Sequence, residues 1–243
     1  MAAAGSTPPR PRRRPGRPAG NQPPGARRAE YLDAVLDAIR VLGPQATMGD
    51  IARQVGASKP VLYDHFGDRL GLTVAVVAKL AQTMAGDVVG GLLAGGEPEA
   101  VLARTLDVFV GLVEREPQLY RWILRAAADA SGSLRDLPLA LEGGTRLAAV
   151  IGSALRSSGA DPGPAEPWAF GTVGFVLAAT EWWLVRPALP REEFVGYLAR
   201  FVWAGLAAGG VERIDVVHLI AALPSIVDTG SSITAHRHNR EEP

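Results

Sequence analysis

The chain has 243 residues, enough for one or two domains with a substantial core, and its 47% hydrophobic content is that of an ordinary globular protein. It contains no cysteine, which excludes a disulfide framework and a thiolate zinc site and fits a cytoplasmic protein. The formal charge is zero, yet the first 29 residues hold seven arginines and no acid, so residues 30–243 carry a net charge of −7.

Residues 1–26 are expected to form a disordered arm, because proline and arginine dominate there and cannot build a core. The same cluster stands where a signal peptide would need an apolar run, so none is expected. Within it, Arg12-Arg13-Arg14-Pro15-Gly16-Arg17-Pro18 resembles the AT-hook, a Gly-Arg-Pro motif that lays arginine into a narrow minor groove. Pro15 departs from that motif at the first arginine of its core. Arg14 and Arg17 either read the minor groove in this way or only raise non-specific affinity.

From Arg28 to Leu42, Leu32, Val35, Leu36, Ile39 and Leu42 follow helical spacing, and Gly43-Pro44 stops the element. Thr47 is placed to cap a second helix, with Asp50 reaching back three residues later and Ile51, Ala52 and Val55 forming its apolar face. Gly56 is a turn residue able to take a left-handed backbone. Ser58 follows as a cap for a third helix with Pro60 in its first turn and Val61, Leu62 and Phe66 inward. Two short helices joined by so tight a turn are a helix-turn-helix, whose second helix enters the DNA major groove.

The run Thr47 to Leu72, and above all Leu62-Tyr63-Asp64-His65-Phe66 followed by Arg69 and Leu72, resembles the DNA-binding domain of TetR-family (tetracycline-repressor-like) transcription regulators. The resemblance implies that Thr47 and Tyr63 contact phosphates, that Ser58, Lys59 and Pro60 face the groove, and that His65 and Arg69 lie near the DNA backbone. Pro60 departs from the glycine or small polar residue usual there, and could make only an apolar contact. Arg69 replaces the usual lysine, keeping the charge and changing the hydrogen-bond geometry.

Asp68 is expected to cap a long helix running through Val74, Val77, Leu80, Met84 and Val88 toward Gly95-Gly96. Further helices are expected at roughly 98–115, 117–130, 137–157, 165–185 and 191–208, with a weaker one at 211–223. Each boundary carries proline or glycine, and no segment alternates as a strand would. The apolar stretch from Pro167 to Thr180 ends at Glu181 and falls short of the ~18 residues of a membrane span, so no membrane partner is expected. The fold class is therefore all-α, divided into the arm (1–26), a helix-turn-helix domain (27–72), a helical body (73–225), which the resemblance implies is an effector-binding and dimerisation domain, and a flexible tail (226–243).

The helices at 165–185 and 191–208 carry small residues at helical spacing, among them Gly171, Gly174, Gly196 and Gly205, beside large ones such as Phe175, Trp182, Phe201 and Trp203. The resemblance implies that these two helices build a homodimer across a two-fold axis, and that the body holds a pocket for a small-molecule effector. Phe109, Tyr120, Trp122, Phe175 and Trp182 are the candidate walls of that pocket, with Glu114, Arg121, Arg125 and Glu181 the few polar groups near them. A mostly apolar pocket suits a hydrophobic molecule. No phosphate-binding loop, Gly-x-Ser-x-Gly or His-Glu-x-x-His motif occurs, and no cofactor or metal is expected. Of the four histidines His65 belongs to the DNA motif, His218 stands alone, and His236 and His238 lie in the tail. The expected function is a repressor bound to a palindromic double-stranded DNA operator and released by its ligand. An activator, a ligand-independent architectural DNA-binding protein, and an enzyme without a recognisable motif are the alternatives.

Overall fold

A computed structural model describes residues 24–131, 138–186 and 188–211. Arg14, Arg17, the tail and nearly all of the expected 211–223 helix lie outside these residues. The regular elements among the described residues are the α-helices α1 (Pro24–Leu42), α2 (Met48–Gln54), α3 (Lys59–Phe66), α4 (Arg69–Leu93), α5 (Pro98–Arg115), α6 (Pro117–Ser131), α7 (Pro138–Ser157), α8 (Ala165–Val185) and α9 (Arg191–Ala208).

Local chemistry sets the boundaries in the head. Gly56 turns the chain after α2 with φ +70°, a left-handed conformation that is strained for any side chain. Asp68 caps α4 by accepting the Gly71 amide at 2.9 Å. At its other end α4 is closed by Arg104 of α5, which donates to the carbonyls of Gly91 and Gly95 and so satisfies acceptors that a helix terminus leaves open.

The helices bury three apolar clusters. The largest runs without a break from the head into the body: Val35, Ile39, Ile51 and Leu62 pack in one cluster with Leu72 and Val76 of α4, Val113 of α5 and Leu119, Trp122 and Ile123 of α6. A second joins α5, α8 and α9, with the Trp183 and Phe194 rings stacked at 5.2 Å. A third holds the end of α7, the start of α8 and the end of α9.

Charged pairs repeat the first connection at its surface. Arg40 of α1 makes a two-bonded contact with Glu116 at the α5–α6 junction, Nε at 2.9 Å and Nη2 at 2.8 Å. Lys79 of α4 reaches Asp33 of α1 at 2.9 Å. α6 therefore serves as a wall of the head as well as a helix of the body.

By length and composition alone α4 and α8 are each apolar enough to cross a membrane. α8 runs through Glu181 to Val185, as the expected 165–185 helix does, and its apolar window is longer than the 167–180 stretch taken from the sequence. The Glu181 carboxylate lies 3.7 Å from Arg121 of α6.

Candidate nucleic-acid interface and effector cavity

The recognition face is built from the inside outward. α3 buries Leu62 and Phe66 against α1 and α2, which leaves Ser58, Lys59, Pro60, Tyr63 and Asp64 exposed on the other side. Ser58 stands at the N-cap in an extended conformation, but its side chain makes no capping bond. The sequence reading assigned its hydroxyl to the helix; in the structure the backbone alone makes the turn, and the hydroxyl stays on the exposed face. Tyr63, 48% exposed, projects from the next turn.

Lys59 bends back across α2. A Cβ built on Gly49 would stand 2.5 Å from Lys59 Cε, so the lysine stem occupies the space that a side chain at Gly49 would fill. This carries the ammonium toward the first turn of α2, beside Thr47. Thr47 has both donors on one partner: its hydroxyl donates to Asp50 Oδ2 at 2.6 Å and its amide to the same oxygen at 3.2 Å. The Asp50 amide returns a bond to Thr47 Oγ1 at 3.2 Å, closing a capping box. These bonds from Thr47, hydroxyl before amide, hold the Asp50 carboxyl below the ordinary carboxylate range, with Arg53 adding to the effect.

Two residues expected near the DNA backbone make contacts within the protein. His65 is half-buried, its ring 4.8 Å from that of Tyr31, and its carbonyl accepts from Arg28 Nε at 3.1 Å. Arg28 also lies over the Phe66 ring at 5.3 Å, so His65 and Phe66 fasten the start of α1 to the end of α3. Arg69 turns into the protein. It pairs with Asp129 of α6 at 3.1 Å and lies over the Trp122 ring at 5.6 Å, with Nε and Nη2 buried and without hydrogen-bond partners. Arg69, expected near the DNA backbone, is thus engaged within the protein: the apolar face of Trp122 and the Asp129 carboxylate draw the guanidinium to the seam between head and body.

The aromatic residues proposed as pocket walls fall into three places. Phe109 and Tyr120, edge to face at 6.3 Å, line a small apolar cavity of about 30 Å³. Val77, Leu80, Ala81 and Met84 of α4, Leu112 and Val113 of α5, Glu116 and Ile123 complete it. The Tyr120 hydroxyl points away, donating to the Leu177 carbonyl at 3.0 Å, and burial first, then Glu181, pushes its phenol up.

Trp122 is not a wall of this cavity. It is fully buried, and its Nε1 donates to the Ala46 carbonyl at 3.0 Å, so it belongs to the head–body core. Phe175 and Trp182 are not cavity walls either. Phe175 packs on Phe201 at 4.9 Å, and together with Trp182 (49% exposed), Tyr197 and Phe201 (69% exposed) it forms an open aromatic surface on α8 and α9.

The polar candidates are likewise engaged outside the cavity: Glu114 with Arg191 at 3.0 Å, Arg121 with Glu181, and Arg125 beside Asp129 at 3.9 Å. Large aromatics mark only part of the wall, whose other half is aliphatic. The stripe Val77-Leu80-Ala81-Met84, at helical spacing on one side of α4, was the available signal.

Comparison with known proteins agrees with this architecture. Residues 33–76 match the family profile described as bacterial regulatory proteins, tetR family, and residues 88–217 match the tetracyclin repressor-like C-terminal domain. An HTH-type transcriptional regulator of Mycobacterium tuberculosis is 31% identical over 194 residues, covering 77% of this chain and 82% of its own. The HTH-type transcriptional activator FasR of Mycolicibacterium smegmatis is 28% identical over 201 residues, covering 79% and 90%. Among solved structures, a TetR-like transcriptional regulator from Rhodococcus sp. RHA1 shares the fold with a TM-score of 0.53 at 22% identity, over 77% of this chain and 99% of that one. A tetR-family regulator from Streptomyces coelicolor does so with a TM-score of 0.54 at 20% identity, over 87% and 98%. The chain belongs to the TetR family of bacterial transcriptional regulators.

Proposed function

We propose that the protein is a cytoplasmic homodimeric repressor that holds a palindromic operator and lets it go when a hydrophobic small molecule enters the α4–α5–α6 cavity. The observation that carries this reading is the position of that cavity. Four of its wall residues lie on α4, the helix that begins at Asp68 directly behind the DNA-contacting helices. A molecule lodged there presses on a helix on which the head is mounted.

Dimerisation is supported by the open aromatic surface of α8 and α9. Apolar surface of this kind is stable when covered, and a two-fold contact covers it with its own copy. Two heads related in this way present two α3 helices to successive major grooves about 34 Å apart, which matches a two-fold symmetric DNA site. Ser58, Lys59, Pro60 and Tyr63 supply the contacts from each head, with Thr47 beside them.

The test is selection from random duplex DNA by the purified full chain, followed by a compound screen for release of the selected sequence. The reading expects an inverted repeat and a hydrophobic releasing compound. Recovery of no sequence preference, or a site without symmetry, would refute it. One observation favours a second reading, since FasR, 28% identical, is described as an activator. In vitro transcription from a template bearing the selected site separates the two, because a repressor lowers and an activator raises the transcript.

A further inference from the structure

Glu116 belongs to two neighbourhoods at once. It lies in the junction between α5 and α6, where it lines the apolar cavity beside Leu112 and Tyr120. Its carboxylate meanwhile holds Arg40, in the last turn of α1, through the paired bonds at 2.9 and 2.8 Å. Those bonds, with Asp37 adding a third at 2.6 Å, raise the Arg40 pKa further above its ordinary value. One residue therefore touches the cavity and grips the head.

The cavity, at about 30 Å³, has room for no more than a few water molecules, so an organic ligand enlarges it on entering. The inner part of that wall is closely packed, with Ile123 and Val113 almost completely buried, while Leu80, Ala81, Met84 and Phe109 are partly exposed. Glu116 is held differently, by an ion pair whose side chains are 23% and 41% exposed. The pair is two-bonded, the stronger form of such a contact, but water reaches both side chains and can replace its bonds as they part, which no solvent can do inside a packed core.

The polar atoms of the wall are already committed, Tyr120 to the Leu177 carbonyl and Glu116 to Arg40. A charged group would lose its hydration there without compensation, whereas hydrocarbon would not. We propose that the α4–α5–α6 cavity receives an uncharged hydrocarbon group, and that its arrival is passed to the DNA-binding head by Glu116 leaving Arg40. This rests on the ligand-released reading above and specifies both the ligand class and the contact that transmits it.

The test uses the full chain, a fluorescent duplex bearing the selected site, and n-octane as the probe. Octane lowers the DNA affinity of the parent protein, within the 5- to 150-fold span usual for coupled sites. Ala81→Leu, which fills the cavity without any ligand, lowers it as well. Glu116→Gln lowers DNA affinity on its own by a similar factor, and neither octane nor Ala81→Leu lowers it further. The exchanged pair, Arg40→Glu with Glu116→Arg, regains the octane response. An octane response of full size in Glu116→Gln, or losses from Ala81→Leu and Glu116→Gln that simply multiply, overturns the transmitting role. If Ala81→Leu fails to fold, the octane measurements decide alone. A parent protein indifferent to octane but released by a charged compound refutes this inference while leaving ligand release intact. A parent that no compound releases refutes the reading on which the inference rests.

Discussion

Replacing Trp122 by phenylalanine tests the claim that α6 is a wall of the head. The indole N–H is the hydrogen-bond donor to the Ala46 carbonyl, and Ala46 is itself only 4% exposed. Removing that donor leaves a buried acceptor unsatisfied, at a cost of about 1–3 kcal/mol. The smaller ring also leaves a void of about 40 Å³, worth about 1 kcal/mol at roughly 24 cal/mol per Å³. The expected destabilisation is the total, about 2–4 kcal/mol, a large share of the ~5–15 kcal/mol that holds a typical protein folded. For a chain of this size it lowers the melting temperature by about 4–16 °C. Thermal unfolding followed by circular dichroism measures it, with Val41→Ala as the control. Val41 is 73% exposed, so that change should stay within about 0.5 kcal/mol of the parent. A Trp122→Phe protein as stable as the parent would show that the indole bond and the packing around it do not hold the head to α6.

Lys59→Ala should weaken DNA binding and, where the ammonium meets a phosphate, reduce the salt slope by about 1 without changing the melting temperature. Unchanged affinity in both Lys59→Ala and Tyr63→Phe would remove α3 from the proposed interface. Phe201→Glu, 69% exposed in the single chain, should raise the dimer dissociation constant at least ~100-fold, because a two-fold contact buries the new charge twice. Sedimentation at nanomolar concentration reads this, and a variant that stays dimeric refutes the α8–α9 interface. Tyr120 has its phenol raised above the ordinary 10.0, so above that pH the unfolded chain gives up a proton that the folded chain keeps. Its contribution is intact below about pH 10 and is lost at up to about 1.4 kcal/mol per pH unit above it. Urea unfolding across that range should show a shallower alkaline fall for Tyr120→Phe than for the parent, and equal slopes would refute the assignment.

The features that were legible in the sequence are those fixed by near neighbours. The Thr47–Asp50 box, the turn at Gly56 and the cap at Asp68 each depend on groups three residues apart or on one backbone angle, so residue type at a given spacing is enough to find them. The misplaced residues are those whose partners lie far along the chain. Trp122 meets Ala46, and Arg40 meets Glu116, across 76 positions in each case. Helical spacing says that a residue is on an apolar face, but not which helix covers that face. Phe109, Trp122 and Trp182 therefore look alike in the sequence, yet they lie at a cavity wall, in a closed core and on an open surface. The intramolecular contacts of Arg69 are hidden from the sequence for a related reason. Its charge suggests the DNA, and only the fold reveals an aromatic ring and a carboxylate on the opposite side.

The same long-range contacts bear on the proposed regulation of DNA binding. Three helices of 19, 7 and 8 residues bury too little surface to be robust alone, and here their core is completed by α4, α5 and α6. A head that folded independently could sit on a flexible linker, and nothing happening in the body would reach it. A head whose inner wall belongs to the body has no such freedom. Close-packed interiors do not deform smoothly, so a displaced wall either carries its contacts with it or breaks them at the weakest place. The seam offers both kinds of place: the packed Trp122 with its bond to Ala46, and the partly exposed pairs of Arg40 with Glu116 and Arg69 with Asp129. In the proposed release by a ligand, the dependence of the head on α6 for stability is also the physical route by which an event in the body would alter its grip on DNA.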